Sequence, residues 1–141
     1  MVEHSEHNYV KMLYDRSTGA LKLHGILAIV FGGLGTLGAV LFTLLVALGT
    51  FSDESYDTYN SPLGLALVSA MIFVFWTLPH IFMIAAGSYL VREPAPKLAK
   101  TLVIINLVIG VFYNLIILVI AIVNLTQISD YERGYHVHKR K

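Results

Sequence analysis

An all-α integral membrane protein, built as a bundle of three long transmembrane helices, is the fold class this sequence predicts, and three observations predict it. The 141 residues are 56% hydrophobic and 13% charged, with a mean hydropathy of +0.69, whereas soluble domains carry about 25% charged residues. None of the 19 Lys, Arg, Asp and Glu residues falls in 23–52, 58–91 or 101–129. These stretches are 30, 34 and 29 residues long, and a helix needs about 20 apolar residues to cross the hydrocarbon core.

The elements follow in order. Residues 1–21 place Tyr9, Val10, Leu13 and Tyr14 on one side of a short helix that Ser17-Thr18-Gly19 would end. Tyrosine favours the headgroup level, so this is read as an interfacial helix or tail. The transmembrane domain covers 22–128, with spans at about 23–50, 63–91 and 99–127. The first apolar run exceeds the 7 to 15 residues of a signal-peptide core and is read as an uncleaved span. "FSDESYDTYNSP" connects spans one and two with three acids and no base, and "REPAPKLAK" breaks the chain again with two prolines. Residues 129–141 form a basic tail.

Orientation follows from Lys and Arg in short loops, because cytoplasmic segments retain positive charge. The N-terminal segment has three (Lys11, Arg16, Lys22), the first connection none, the second three (Arg92, Lys97, Lys100) and the tail four. Three spans in a plasma membrane then favour a cytoplasmic N-terminus and an external C-terminus. The basic tail is the misfit: it prefers the inside, which requires an even number of crossings. Splitting span three at Asn114 leaves halves of about 14 residues, short of a full crossing.

At about 100° per residue, each span shows a distinct face. Gly25, Gly32, Thr36, Ala39 and Thr43 form a small-residue stripe on span one, with Gly35 four residues before Ala39. Small residues let helix backbones approach closely in lipid. Span two places Ser69, Trp76 and His80 on one side, and Pro79 frees the carbonyl of Phe75 and favours a kink. Span three gathers Asn106, Asn114 and Asn124 on one face, which should meet protein or water. His80 is the ionisable group well within a span, tyrosines apart, and with Asn106 and Asn114 it would line a polar pathway near Pro79 or bond helix to helix.

Several chemistries find no footing. "GLGTLG" at Gly33–Gly38 has dinucleotide-loop spacing, and Asp53 follows 20 residues after Gly33. The hexapeptide nevertheless lies inside an uncharged helical run, without the strand and turn such a loop requires, so no nucleotide is expected. His24 and His80 sit at different depths, against a shared haem. The pairs His4 with His7 and His136 with His138 lack a third ligand, so no metal or other cofactor is expected. The chain has no cysteine, and no nucleophile–base pair, intramembrane carboxylate or phosphate loop with its lysine is present. No enzyme activity and no nucleic-acid partner are therefore expected.

The reading that remains is a non-catalytic membrane subunit that packs with itself or with a larger membrane partner in the bilayer. A different class is an oligomeric channel or a small-solute or proton carrier using His80, Asn106 and Asn114. Small size, three spans and a basic tail also resemble, generically, the phage lysis proteins known as holins, but a three-span member is expected with its N-terminus outside, against the charge count.

Overall fold

In the computed structural model, which describes residues 2–48 and 61–138, every regular element is helical. Helix α1 runs Val2–Ala47, α2 Pro62–Ile72, and a π-helical segment Phe73–Thr77 joins α2 to α3, Leu78–Val91. Helix α4 is Pro96–Tyr113 and α5 is Leu115–His138. Four stretches are long and apolar enough to cross a membrane: Ser5–Val46, Pro62–Val91, Pro96–Tyr113 and Leu115–His138. The expected count of three is thus corrected to four, because the third apolar run folds back on itself at Asn114.

One residue makes that reversal. Asn114 is extended (φ −156, ψ 102) and its N–H donates to the carbonyl of Gly110, ending α4. Its side-chain Oδ1 accepts the N–H groups of Ile116 and Ile117 at 3.0 and 3.1 Å, which caps the start of α5. The two arms return antiparallel. Gly110 lies so close to Leu118 that a Cβ on the glycine would sit 2.7 Å from the Leu118 backbone nitrogen.

The N-terminal segment also departs from expectation, since α1 passes through Ser17-Thr18-Gly19 without a break. Ser17 returns its hydroxyl to the Tyr14 carbonyl at 3.0 Å, a bond made within the helix. Packing supplies the rest. Tyr14 and Leu21 are buried in a core with Ala86, Leu90, Ala99, Leu102, Val103, Ala121 and Tyr131. Tyr14 stacks on Tyr131 at 5.6 Å and on His138 at 5.4 Å. The beginning of α1 and the end of α5 therefore share one end of the bundle, not opposite ends as an odd number of crossings would place them. Residues 129–138, expected as a tail, belong to α5.

The α3–α4 connection closes this same end. Tyr131 donates its hydroxyl to the Pro94 carbonyl at 2.7 Å, and Lys22 pairs with Glu93 at 2.6 Å. Glu93 adopts φ +53, a left-handed turn conformation that disfavours a side chain. Its carboxylate accepts from Lys22 and lies 3.5 Å from the Tyr14 hydroxyl, anchoring the turn to α1. That hydrogen bond with Lys22 holds the Glu93 carboxyl below the usual glutamate range, against a smaller opposing effect of burial.

The hairpin stops part-way along the other helices. Tyr113, beside the reversal, donates its hydroxyl to the Phe75 carbonyl and meets the His80 ring edge-on at 5.4 Å. From Phe75 back to Pro62 is 13 residues, so at about 1.5 Å per residue α2 and the π segment continue some 20 Å past the reversal. Helix α1 continues beside them, with Phe42 stacked on Trp76 at 5.9 Å.

Candidate functional site

Inside the bundle, three polar side chains from three helices meet. His24 of α1, Asn106 of α4 and Asn124 of α5 are each buried. Asn106 Nδ2 lies 3.1 Å from His24 Nε2, and Asn124 Nδ2 lies 3.2 Å from His24 Nδ1. Position follows from the hairpin: folding at Asn114 brings residues 106 and 124 to the same depth on adjacent arms.

Hydrogen-bond chemistry assigns the proton. A neutral imidazole has one donor and one acceptor, so two amide nitrogens cannot both donate to it, and one amide must present its oxygen instead. Asn124 Nδ2 also donates to the Ile120 carbonyl at 2.9 Å, which holds that amide in place. Nδ1 is then the acceptor and Nε2 carries the hydrogen, with Asn106 turned so that its Oδ1 accepts. Such a network ties α1 to both arms of the hairpin. Asn124 Oδ1, Thr18 Oγ1 and Gln127 Oε1 are also buried, with no protein hydrogen-bond partner.

The residues singled out from sequence fall in several places. His80 does not join Asn106 or Asn114: its Nδ1–H donates to the Trp76 carbonyl at 2.7 Å and its ring lies against Gly35. Asn114 is the reversal, Asn106 and Asn124 hold His24, and Trp76 stacks on Phe42. Ser69 is half-buried on α2, a helix with no buried residue. Around Pro79 the helix takes a π turn, in which the Leu78 N–H bonds to the Phe73 carbonyl. The freed Phe75 carbonyl takes the Tyr113 hydroxyl. A common pathway through His80, Asn106 and Asn114 is therefore not assembled within one chain.

Span-one small residues face α3. A Cβ on Gly25 would lie 2.6 Å from the Gly87 carbonyl oxygen, and one on Gly32 2.8 Å from that of His80. Gly35 leaves room for the His80 ring, and Ala28 and Ala39 are fully buried. Thr36 and Thr43 return their hydroxyls to the carbonyls of Gly32 and Ala39. By contrast, Gly33 and Gly38 of "GLGTLG" have open space around them.

His24 is what sequence reasoning missed. It lies two residues beyond Lys22, so it reads as a boundary residue until α1 and α5 are seen to extend the bundle past that point. No group of three or more His, Cys, Asp or Glu side chains suited to a metal ion occurs among the described residues. His4 and the acidic connection, Asp53 included, lie outside the described side chains. Comparison with family models, curated proteins and solved structures finds no match to this chain.

Proposed function

We propose that this chain is an integral membrane protein that acts as a non-catalytic subunit of a larger membrane assembly, formed with further copies or with another membrane protein. The observation that carries this reading is the chain reversal at Asn114, level with Phe75 and His80. If α1 and α2–α3 cross the bilayer, this reversal lies within the hydrocarbon. Backbone outside a helix is tolerated at that depth only when protein or water covers it. Phe112 and Leu115, on either side of it, are 77% and 73% exposed in the single chain. A partner supplies the cover.

Charge supports one orientation. Seven of the ten bases (Lys11, Arg16, Lys22, Arg92, Lys97, Lys100, Arg133) lie at the end of the bundle that holds Tyr14 and Tyr131, and the other three follow α5 directly in sequence. The connection from α1 to α2 carries three acids and no base. With three spans, six bases would lie inside and four outside; a re-entrant hairpin makes this ten against none, with both termini cytoplasmic. The external C-terminus expected from three spans is replaced by this reading.

The test is the mass of the particle in a mild detergent or a nanodisc. We expect a multiple of the 15.6 kDa chain or a stoichiometric membrane partner. A monomer whose residue 116, as Ile116→Cys, is sealed from thiol reagents by lipid alone would overturn the proposal.

A second reading, a proton or small-solute carrier, draws on the buried oxygens of Thr18, Gln127 and Asn124, the last on the side chain that meets His24. Vesicle flux abolished by His24→Ala but retained in His80→Ala would favour it.

A further inference from the structure

An apolar groove of about 480 Å³ opens on the outer face of the bundle between α3 and α4, lined by Leu78, Pro79, Phe82, Ile104, Ile105, Val108 and Ile109. Its setting is local: Pro79 follows the π turn, and nearer their other ends the two helices pack through Ala86, Leu90, Ala99 and Val103. Every residue that lines the groove is apolar, yet its two walls lead to polar groups. On α4, Lys97, Thr101, Ile104 and Val108 fall within about 60° on one face, with Lys100 at its edge about 40° beyond Ile104. On α3, Leu78, Phe82 and Tyr89 fall within about 40°. Lys97, Lys100, Tyr89 and Arg92 are all exposed.

The levels match. Ile104 to Lys97 and Phe82 to Tyr89 are each seven residues, so on both helices the polar group lies about 10 Å from the groove, towards the same end of the bundle. Lys22, paired with Glu93, and the other bases mark that end. A ligand complementary to this surface is long and apolar with an anionic group at one end.

We propose that the α3–α4 groove is a selective site for one anionic phospholipid, its acyl chain against Phe82, Ile104 and Val108 and its phosphate held by Lys97, Lys100 and the Tyr89 hydroxyl. The proposal rests on the membrane reading above. Lysine supplies charge, and a tyrosine at headgroup level adds a neutral donor. A zwitterionic lipid fills the same groove without the net attraction.

The test replaces the single tryptophan by Trp76→Phe and introduces Phe82→Trp as a reporter in the groove. The protein is reconstituted in vesicles of phosphatidylcholine and phosphatidylglycerol, with the acyl chains of one or the other brominated. Brominated phosphatidylglycerol is expected to quench residue 82 with about fivefold greater apparent affinity than brominated phosphatidylcholine. In Lys97→Gln/Lys100→Gln the ratio falls towards one. Retained lipid, measured by native mass spectrometry on the chain with Phe82 and Trp76 in place, should lose phosphatidylglycerol with the same double substitution. Equal quenching by both lipids overturns the proposal and leaves ordinary boundary lipid. Absence of quenching in protein that floats with alkali-washed vesicles also overturns it, showing that another helix covers the groove. Failure to float overturns the membrane reading itself.

Discussion

Tyr113 donates its hydroxyl hydrogen to the main-chain carbonyl of Phe75, the oxygen that Pro79, lacking an N–H, leaves without its ordinary helical partner. Two breaks in helical hydrogen bonding, one at Pro79 and one at Asn114, thus meet at the same depth and partly satisfy each other. Tyr113→Phe should destabilise the fold by about 0.6 kcal/mol and at most about 1.7, the span measured for hydrogen bonds between membrane helices. Detergent-induced unfolding measures it. In a Pro79→Ala background, which restores the N–H, the penalty of Tyr113→Phe should shrink.

Glycines at the α1–α3 crossing and on the open face should respond oppositely. A Cβ on Gly25 would sit 2.6 Å from the Gly87 carbonyl oxygen, whereas one on Gly33 meets nothing within 4 Å. Gly25→Leu should therefore lower stability by about 1 to 3 kcal/mol through overpacking against backbone. Gly33→Ala should raise it by up to about 1 kcal/mol through helix propensity. The same unfolding assay distinguishes them.

Acid should loosen the end of the bundle held by Glu93. Because the folded carboxyl titrates below its ordinary value, its contribution is complete above the unfolded glutamate range and is lost as pH falls through the lowered value. Glu93→Gln should reduce stability at neutral pH and flatten the acid side of the profile, read by thermal unfolding between pH 3 and 7, a window about the ordinary glutamate range. A wild-type profile flat through this window would contradict the role given to the Lys22 pair.

Replacing one member of the His24 network should be worse than replacing all three. His24→Leu strands the Asn106 amide in the interior and leaves Asn124 Nδ2 only its bond to the Ile120 carbonyl, a loss of about 1 to 3 kcal/mol. His24→Leu with Asn106→Leu and Asn124→Leu removes the stranded groups as well, and should recover much of that loss. Equal losses for the single and triple variants would show that packing, not hydrogen bonding, dominates there.

Helical character, the small-residue face of α1 and the polarity of the 106–114–124 face were all readable from composition and period. What escaped was the hairpin. A charge-free run of 29 residues is long enough for one crossing, and Asn114 reads as one more polar residue on the stripe that it in fact interrupts. Asparagine suits both tasks, since the side chain that bonds across helices also caps one. The misfit of the basic tail was the legible sign, because only an even number of helical passes gathers those bases with the others. His24 was hidden for a related reason: its burial depends on α5 running on to His138 beside α1, and on two asparagines brought together by a reversal between them.

The depth of the hairpin yields the last prediction. The natural chain has no cysteine, so single substitutions report position without background. Ser5→Cys and Val137→Cys, at the two ends gathered by Tyr14, Tyr131 and His138, should both react with a membrane-impermeant maleimide from the cytoplasmic side. Leu48→Cys, one residue beyond α1, should react from the opposite side. Ile116→Cys should react slowly from either side in the proposed assembly, because Asn114 stops level with Phe75, about 20 Å short of the far end of α2. Once the assembly is dissociated, water can reach the reversal, and labelling at residue 116 should accelerate while the other three sites keep their rates. Rapid labelling of residue 116 from the Leu48 side in the intact assembly would instead mean that α4 and α5 cross completely.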